Sequence, residues 1–219
     1  DAGSHLESRP GATEAMTTIA LPSTAAFQAA KFEAGYDANV FASQSPLDGS
    51  VQTVNLPGDR FRARLTLPAA TSTDRADVEG FFASLRPSQS FSANRLQCHH
   101  LARPAPRGTL RGSPTLQASA AQLATTISIQ TTAAATLLRG DLISLGGQTV
   151  MVTADATANG SGVMSATISP ALRAAVSSSS AITWDKPTFL WLIVGMPMWG
   201  YEPGYVSQSV TMELMEVFA

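Results

Sequence analysis

One cysteine, Cys98, serves the whole 219-residue chain. That excludes an intrachain disulfide framework and a cysteine-based zinc site, and it fits synthesis in a reducing cytoplasm. Charge is scarce as well: 14% of residues are Asp, Glu, Lys or Arg, against about 25% in ordinary soluble domains. A net charge of −2 supplies no global field for gripping nucleic acid or an anionic membrane surface, so neither is an expected partner. The longest apolar run, Phe189 to Trp199, is shorter than the ~18–20 residues a membrane span needs and reads as a buried strand. A serine nucleophile lacks both the Gly-x-Ser-x-Gly elbow and an evident histidine to activate it.

Ala, Ser and Thr fill the place of the missing charge. Such a surface is cheap to desolvate, and β-branched Thr suits a pleated, half-buried face, so the composition favours β-structure that meets other protein. From Ser50 to Leu67 the pattern becomes strict alternation, with Phe61, Ala63, Leu65 and Leu67 on one face and Arg60, Arg62, Arg64 and Thr66 on the other. The turn Leu56-Pro57-Gly58-Asp59 predicts a hairpin that pairs this strand with Ser50–Val54. Thr73 to Arg86 places Val78, Phe81, Phe82 and Leu85 at helical spacing behind a Thr or Ser cap and acids in the first turn, with Pro87 as terminator. It is the one expected helix.

A Pro/Gly/Arg-rich segment, Arg103 to Pro114, reads as a boundary, and beyond it short β-segments dominate. Leu142–Leu145 and Gln148–Val152 flank Gly146-Gly147, a dipeptide suited to a two-residue hairpin because both positions can need positive φ. Asn159-Gly160-Ser161-Gly162 marks another turn before a Val163–Ile168 strand. Ser177–Ser180 and Asp185-Lys186-Pro187 form a return linker. Long strands resume at Phe189–Val194 and Tyr205–Phe218, although Thr211–Phe218 also has helix-favouring Met, Glu and Leu. At the other end, Gly3-Ser4-His5 reads either as a cleaved affinity-tag remnant ahead of a start at Met16 or as part of a flexible arm.

Few residues suggest chemistry. In Cys98-His99-His100 adjacent strand residues point to opposite faces, so the two histidines do not easily serve one ion or one proton relay. Asp155 to Gly160 imitates the first half of a calcium loop, but Ala166 stands where the bidentate glutamate belongs, leaving a hairpin turn. No acid pair is marked for glycoside cleavage among the 16 carboxylates. No catalytic residue, cofactor or metal is expected. Trp184, Trp191, Trp199, Tyr201 and Tyr205 crowd the return segment; packing in a core or subunit interface is the commoner reason for such a cluster, and sugar stacking the alternative. The charge layout is more informative. Arg60 through Arg111 holds nine arginines against three acids, whereas Lys186 through Ala219 holds one base against three acids. That asymmetry suits complementary contact between neighbouring subunits, or pairing within one.

The order of these features resembles phage tail proteins of the distal tail type. The matching elements are a strand pair feeding the Arg/Leu alternation, the helix ending in Phe81-Phe82-Ala83-Ser84-Leu85-Arg86, and Arg111-Gly112-Ser113-Pro114. Next come Leu138-Arg139-Gly140-Asp141-Leu142, the Ala154–Gly162 turn, Ile168-Ser169-Pro170-Ala171-Leu172-Arg173 and a closing strand with Glu213. The resemblance spans approximately Phe41 to the C-terminus. It implies a mainly β fold with one short helix: residues 16–107 and 186–219 as a tube-like β-sandwich or barrel domain, 108–185 as an inserted small β-barrel, and 1–15 as scar or arm. It further implies a non-enzymatic, siphophage-like virion tail subunit made in the bacterial host cytoplasm. Its partners would be itself, in a ring hexameric by family resemblance, together with the tail tube protein and baseplate hub or tip proteins. The residues expected at contacts are Arg60, Arg62, Arg64, Trp199, Tyr201, Tyr205 and Glu213. A virion-associated host-receptor or glycan-binding module is the alternative, and a tail-associated hydrolase a more distant one.

Overall fold

A computed structural model describes residues 18–46, 48–55, 57–85, 95–194, 200 and 208–217. The fold is mainly β, with one helix among the described residues. The strands are β1 (Thr18–Ala20), β2 (Lys31–Asp37), β3 (Val40–Gln44), β4 (Val51–Asn55), β5 (Arg60–Leu67), β6 (Arg95–His99), β7 (Thr115–Leu116) and β8 (Thr126–Gln130). They continue as β9 (Thr136–Leu137), β10 (Leu142–Leu145), β11 (Gln148–Val152), β12 (Ala156–Thr157), β13 (Val163–Ser169), β14 (Thr188–Ile193) and β15 (Val210–Glu216). The helix α1 spans Ser72–Ser84.

Six strands form a curled sheet in the order β1-β6-β14-β15-β5-β2. The alternation in β5 sets its buried face: Phe61, Ala63, Leu65 and Leu67 are buried, and so are Val210, Met212 and Leu214 of the neighbouring β15. The helical reading of Thr211–Phe218 is therefore corrected. Val210–Glu216 is a strand, because alternate burial of its apolar residues against β5 outweighs the modest helix propensity of Met, Glu and Leu. Helix α1 closes the buried face. Thr71 caps it by accepting a hydrogen bond from the Asp74 amide (3.3 Å), and Val78, Phe82 and Leu85 turn inward. A one-turn 3-10 segment, Ala25–Phe27, packs beside them, with the Phe27 and Phe81 rings edge to face at 4.9 Å.

The predicted hairpin between Ser50–Val54 and the Arg-bearing strand is not formed. β4 pairs antiparallel with β3, and β5 pairs with β2 and β15. The tight turn lies earlier than expected. Asp48 Oδ1 accepts from Ser50 N (3.0 Å) and Ser50 Oγ (2.8 Å), and Gly49 sits at φ 71°, which reverses the chain between β3 and β4.

Residues 100–187 lie between β6 and β14, two strands hydrogen-bonded to each other through His99 and Thr188. They build a five-stranded sheet, β10-β11-β13-β8-β7, and a two-stranded ladder, β12-β9. Gly146 (φ 57°) and Gly147 (φ 77°) make the two-residue turn between β10 and β11 as their sequence predicts. The buried apolar side chains form two clusters, one centred on Leu65, Phe82, Leu96 and Trp191, the other on Ile129, Leu137, Val150 and Ile168. Leu142 and Met151 reach from β10 and β11 to the first cluster.

Candidate assembly surface

Period-two alternation leaves a polar outer face on the six-stranded sheet. Its charges are satisfied inside one chain. Arg64 and Glu213 stand opposite each other in the β5–β15 register and pair at 2.7 Å, and Arg62 pairs with Asp37 of β2 at 2.7 Å. The Glu213 carboxylate in turn holds the Arg64 guanidinium above its ordinary pKa. Arg60 reaches the Met215 sulfur at 3.5 Å. Three of the expected contact residues, Arg62, Arg64 and Glu213, are thus paired within the chain and exposed, a placement in which ion pairs contribute little. Trp199, Tyr201 and Tyr205 lie outside the described residues.

The other tryptophans have structural partners. Trp191 is buried and stacks on Phe189 with ring centroids 5.0 Å apart. Trp184 donates from Nε1 to the Gly112 carbonyl (2.8 Å) under the Arg111 guanidinium.

Two apolar features of the surface were missed in the sequence. One is the β3–β4 hairpin, in which Phe41 (62% exposed), Val51 (61%), Val54 (53%) and Val40 (45%) stand in solvent. Phe41 and Val54 are directly paired, so they share one face. The signal was present as Asp48-Gly49 flanked by apolar segments. The second is a cavity of about 490 Å3 between the β1–β2 connection and the ends of β1 and β6. Leu21, Pro22, Phe27, Ala29 and Leu101 supply apolar lining, with Gln97 and His99 at its wall. No Asp, Glu, Lys or Arg lines it among the described residues.

The sheet's own edges complete the surface. β1 is parallel to β6, and every later neighbour in the sheet is antiparallel to the one before, so β1 and β2 run in the same direction. Neither bonds to a further strand on its outer side among the described residues.

The junction with the second cluster is polar. Arg173, in the turn after β13, lies 3.3 Å from the buried Glu216 carboxylate and donates to the Asp59 carbonyl at 2.8 Å. Glu216 also accepts from the Phe61 amide (2.9 Å). Tyr36 donates to Asp59 (2.7 Å) and meets the Ser169 hydroxyl at 2.9 Å, and burial there pushes its pKa up to about 12.

The Cys98-His99-His100 run gathers no common site. Burial pushes the Cys98 thiol up to about 12, away from thiolate chemistry. His99 lines the cavity, and burial lowers its pKa, helped by Lys186. His100 is buried, its ring edge to face with Phe32 at 4.9 Å. Asp155 accepts from the Arg139 amide (2.7 Å), and Ala156–Thr157 pair with β9, so this segment is strand and cap, with its chain reversal at Asn159–Gly162. Among the described residues no three His, Cys, Asp or Glu side chains cluster as metal ligands. No described helix is long and apolar enough to cross a membrane. Compared with known proteins, the chain matches no family model and no curated sequence.

Proposed function

We propose that the chain is a structural subunit of a siphophage-like virion tail, assembling head to tail into a ring that connects the tail tube to the baseplate or tail tip. The observation that carries this reading is the pair of sheet edges: β1 and β2 lie at opposite ends and run in the same direction. A rotation that carries one copy onto the next therefore sets β2 beside the neighbour's β1 in parallel, and a closed rotation leaves no edge exposed. An open sheet edge is an aggregation hazard that natural proteins cover, and ring closure covers both. The β3–β4 hairpin, whose two strands carry no charge, adds a second reason, since an isolated two-stranded hairpin is at best marginally stable in water and gains from being covered. The order of sequence features, with its likeness to distal tail proteins, supplies the station in the tail, the tube and hub partners, and assembly in the host cytoplasm.

Gel filtration with light scattering, followed by electron microscopy of the purified protein, tests the reading. Closed rings are the expected result. A strictly monomeric species at high concentration, with no affinity for tail proteins, overturns it.

A further inference from the structure

We propose that Arg103, Arg107 and Arg139 form a binding site for an acidic segment of a partner protein, which they take through its carboxylates. The site lies where the chain enters the second cluster and does not depend on ring closure. Three arginines and no acid fall between His100 and Arg111, directly after β6. Two of them converge on one turn. Leu138–Asp141 is closed by the Asp141 amide donating to the Leu138 carbonyl (2.9 Å), with Gly140 at φ 88°. Arg107 donates from Nη2 to the Arg139 carbonyl, and Arg103 donates from Nη1 to the carbonyl that follows it, Gly140 (3.0 Å). Two guanidiniums are thereby fixed over adjacent peptide units. Arg139, in the same turn, donates from Nε to the Thr153 carbonyl (3.2 Å). All three residues are exposed, and each spends one N–H on a carbonyl and keeps the rest of its fork for a ligand.

What these arginines lack is a free carboxylate. Among the described residues the one acid that pairs with any of them is Asp141, 3.8 Å from Arg107 Nε. Only 2% of its side chain is exposed, and its oxygens already accept from the amides of Arg107, Gly108 and Leu138. Asp155 receives the Arg139 amide but pairs with none of the three guanidiniums. Asp185 pairs with none of them either, and its neighbour Lys186, whose amide bonds to the Pro104 carbonyl, offsets its charge. On the outer sheet face, by contrast, Arg62 and Arg64 each hold a carboxylate at 2.7 Å. The arginines expected at contacts are satisfied within the chain, and those of the entry segment are left short.

A carboxylate is the group that a guanidinium fork meets with two parallel hydrogen bonds. Exposed ion pairs contribute little one at a time, so the ligand has to bring several carboxylates at once, as an acidic run of polypeptide does. Duplex nucleic acid fits less well. Strong electrostatic binding to it rests on about six to ten phosphate contacts, and three guanidiniums on a chain of net charge −2 supply neither the number nor the field.

Fluorescence anisotropy of a labelled hexaglutamate peptide titrated with the full chain tests it, at about 0.1 M ionic strength, where charges more than about 10 Å apart are largely screened. Saturable binding is expected, with none of a labelled hexaglutamine peptide. Arg103→Ala, Arg107→Ala and Arg139→Ala together should weaken it by about tenfold or more. Arg139→Lys keeps the charge, loses the planar fork and should fall between. Because Arg103 and Arg107 also brace the 138–141 turn, circular dichroism accompanies the triple variant, and Arg139→Ala alone must still weaken binding. The control, Arg62→Ala with Arg64→Ala, removes two positive charges from outside the site and should change the affinity little.

A loss in that control as large as in the triple variant means general attraction without a site and overturns the inference. Absence of hexaglutamate binding overturns it too, and where the same protein forms rings the ring reading stands. Tighter binding of a short labelled DNA duplex through the same three arginines makes nucleic acid the occupant and likewise overturns it.

Discussion

Arg173 and Glu216, 43 residues apart in sequence, meet at 3.3 Å where the turn after β13 rests on the end of β15. Glu216 is almost wholly buried and Arg173 mostly so, with side-chain exposures of 4% and 23%. Removing one member of such a pair leaves an uncompensated charge out of water, which is worse than never having buried the pair. Arg173→Ala should therefore destabilise the fold by about 3 kcal/mol. For a chain of this size that lowers the thermal midpoint by roughly 6–12 °C. Thermal unfolding followed by circular dichroism measures it, and a loss within the error of a surface substitution would show that water reaches the carboxylate.

The same carboxyl makes stability depend on pH. Burial raises the Glu216 pKa above its ordinary value of 4.5, against the opposing pull of the Phe61 amide, Arg173 and Arg60. Between the unfolded and folded values the folded chain keeps a proton that the unfolded chain has released, so this group's contribution is fully present below the unfolded value and falls as pH rises through the folded one. The unfolding free energy of the natural protein, minus that of Glu216→Gln, should therefore decline with rising pH across that window and then level. A difference that stays flat from about pH 4 to pH 8 would contradict the raised value.

Asp141 gives the Gly-Asp-hydrophobic stretch its physical meaning. Its buried carboxylate accepts three backbone hydrogen bonds, from Arg107 (2.8 Å), Gly108 (3.1 Å) and Leu138 (2.8 Å), tying the entry to the second cluster to the start of β10. Asp141→Ala leaves three amides without that acceptor, at about 1–3 kcal/mol for each that stays buried. Asp141→Asn retains a single acceptor oxygen and should fall between. Urea midpoints of the three proteins should rank in that order, natural, Asn, Ala.

The Gly146-Gly147 turn predicts an asymmetry between two adjacent glycines of similar φ. A Cβ on Gly146 would meet Val176 Cγ2 at 2.8 Å, whereas one on Gly147 meets nothing within 4 Å. Asn tolerates the left-handed region better than other residues with a side chain. Gly147→Asn should leave the unfolding midpoint near that of the natural protein, and Gly146→Asn should lower it clearly because Val176 must move. Equal effects at the two positions would remove Val176 from the explanation.

Elements whose signal is local were legible in the sequence: the alternation of β5, the capped and striped α1, and the β10–β11 hairpin around its glycine pair. Pairing between distant segments was not. Val51–Asn55 turns back on Val40–Gln44 through Asp48-Gly49, while the partner of β5 that supplies Glu213 lies 149 residues beyond Arg64. Periodicity says which face a side chain occupies, and nothing about the strand next to it. For that reason the arginine face was visible but its neutralisation was not. The exposed hairpin was missed for a related reason: four apolar residues on a short strand pair look the same in sequence whether a core covers them or solvent does. Arg173 and Glu216 carried no local mark at all, since a buried pair is assembled from two places.

The outer sheet face supplies the last prediction, which separates pairing within a chain from contact between chains. Arg64 and Glu213 lie in direct register at 2.7 Å, with more than half of each side chain exposed. Exposed pairs of this kind hold geometry more than they stabilise, because water screens both charges and two long side chains lose freedom. Arg64→Ala, Glu213→Ala and the double variant should all unfold close to the natural protein, with no coupling between the two changes in a double-mutant cycle. The exchange Arg64→Glu with Glu213→Arg should fold equally well, since the pair is restored in mirror image. If either residue instead bonded to a neighbouring subunit, the single variants would weaken ring assembly while leaving monomer unfolding untouched, and the exchange would fail to restore it. Light scattering beside the unfolding curves distinguishes the two, and the in-chain geometry predicts that assembly does not change.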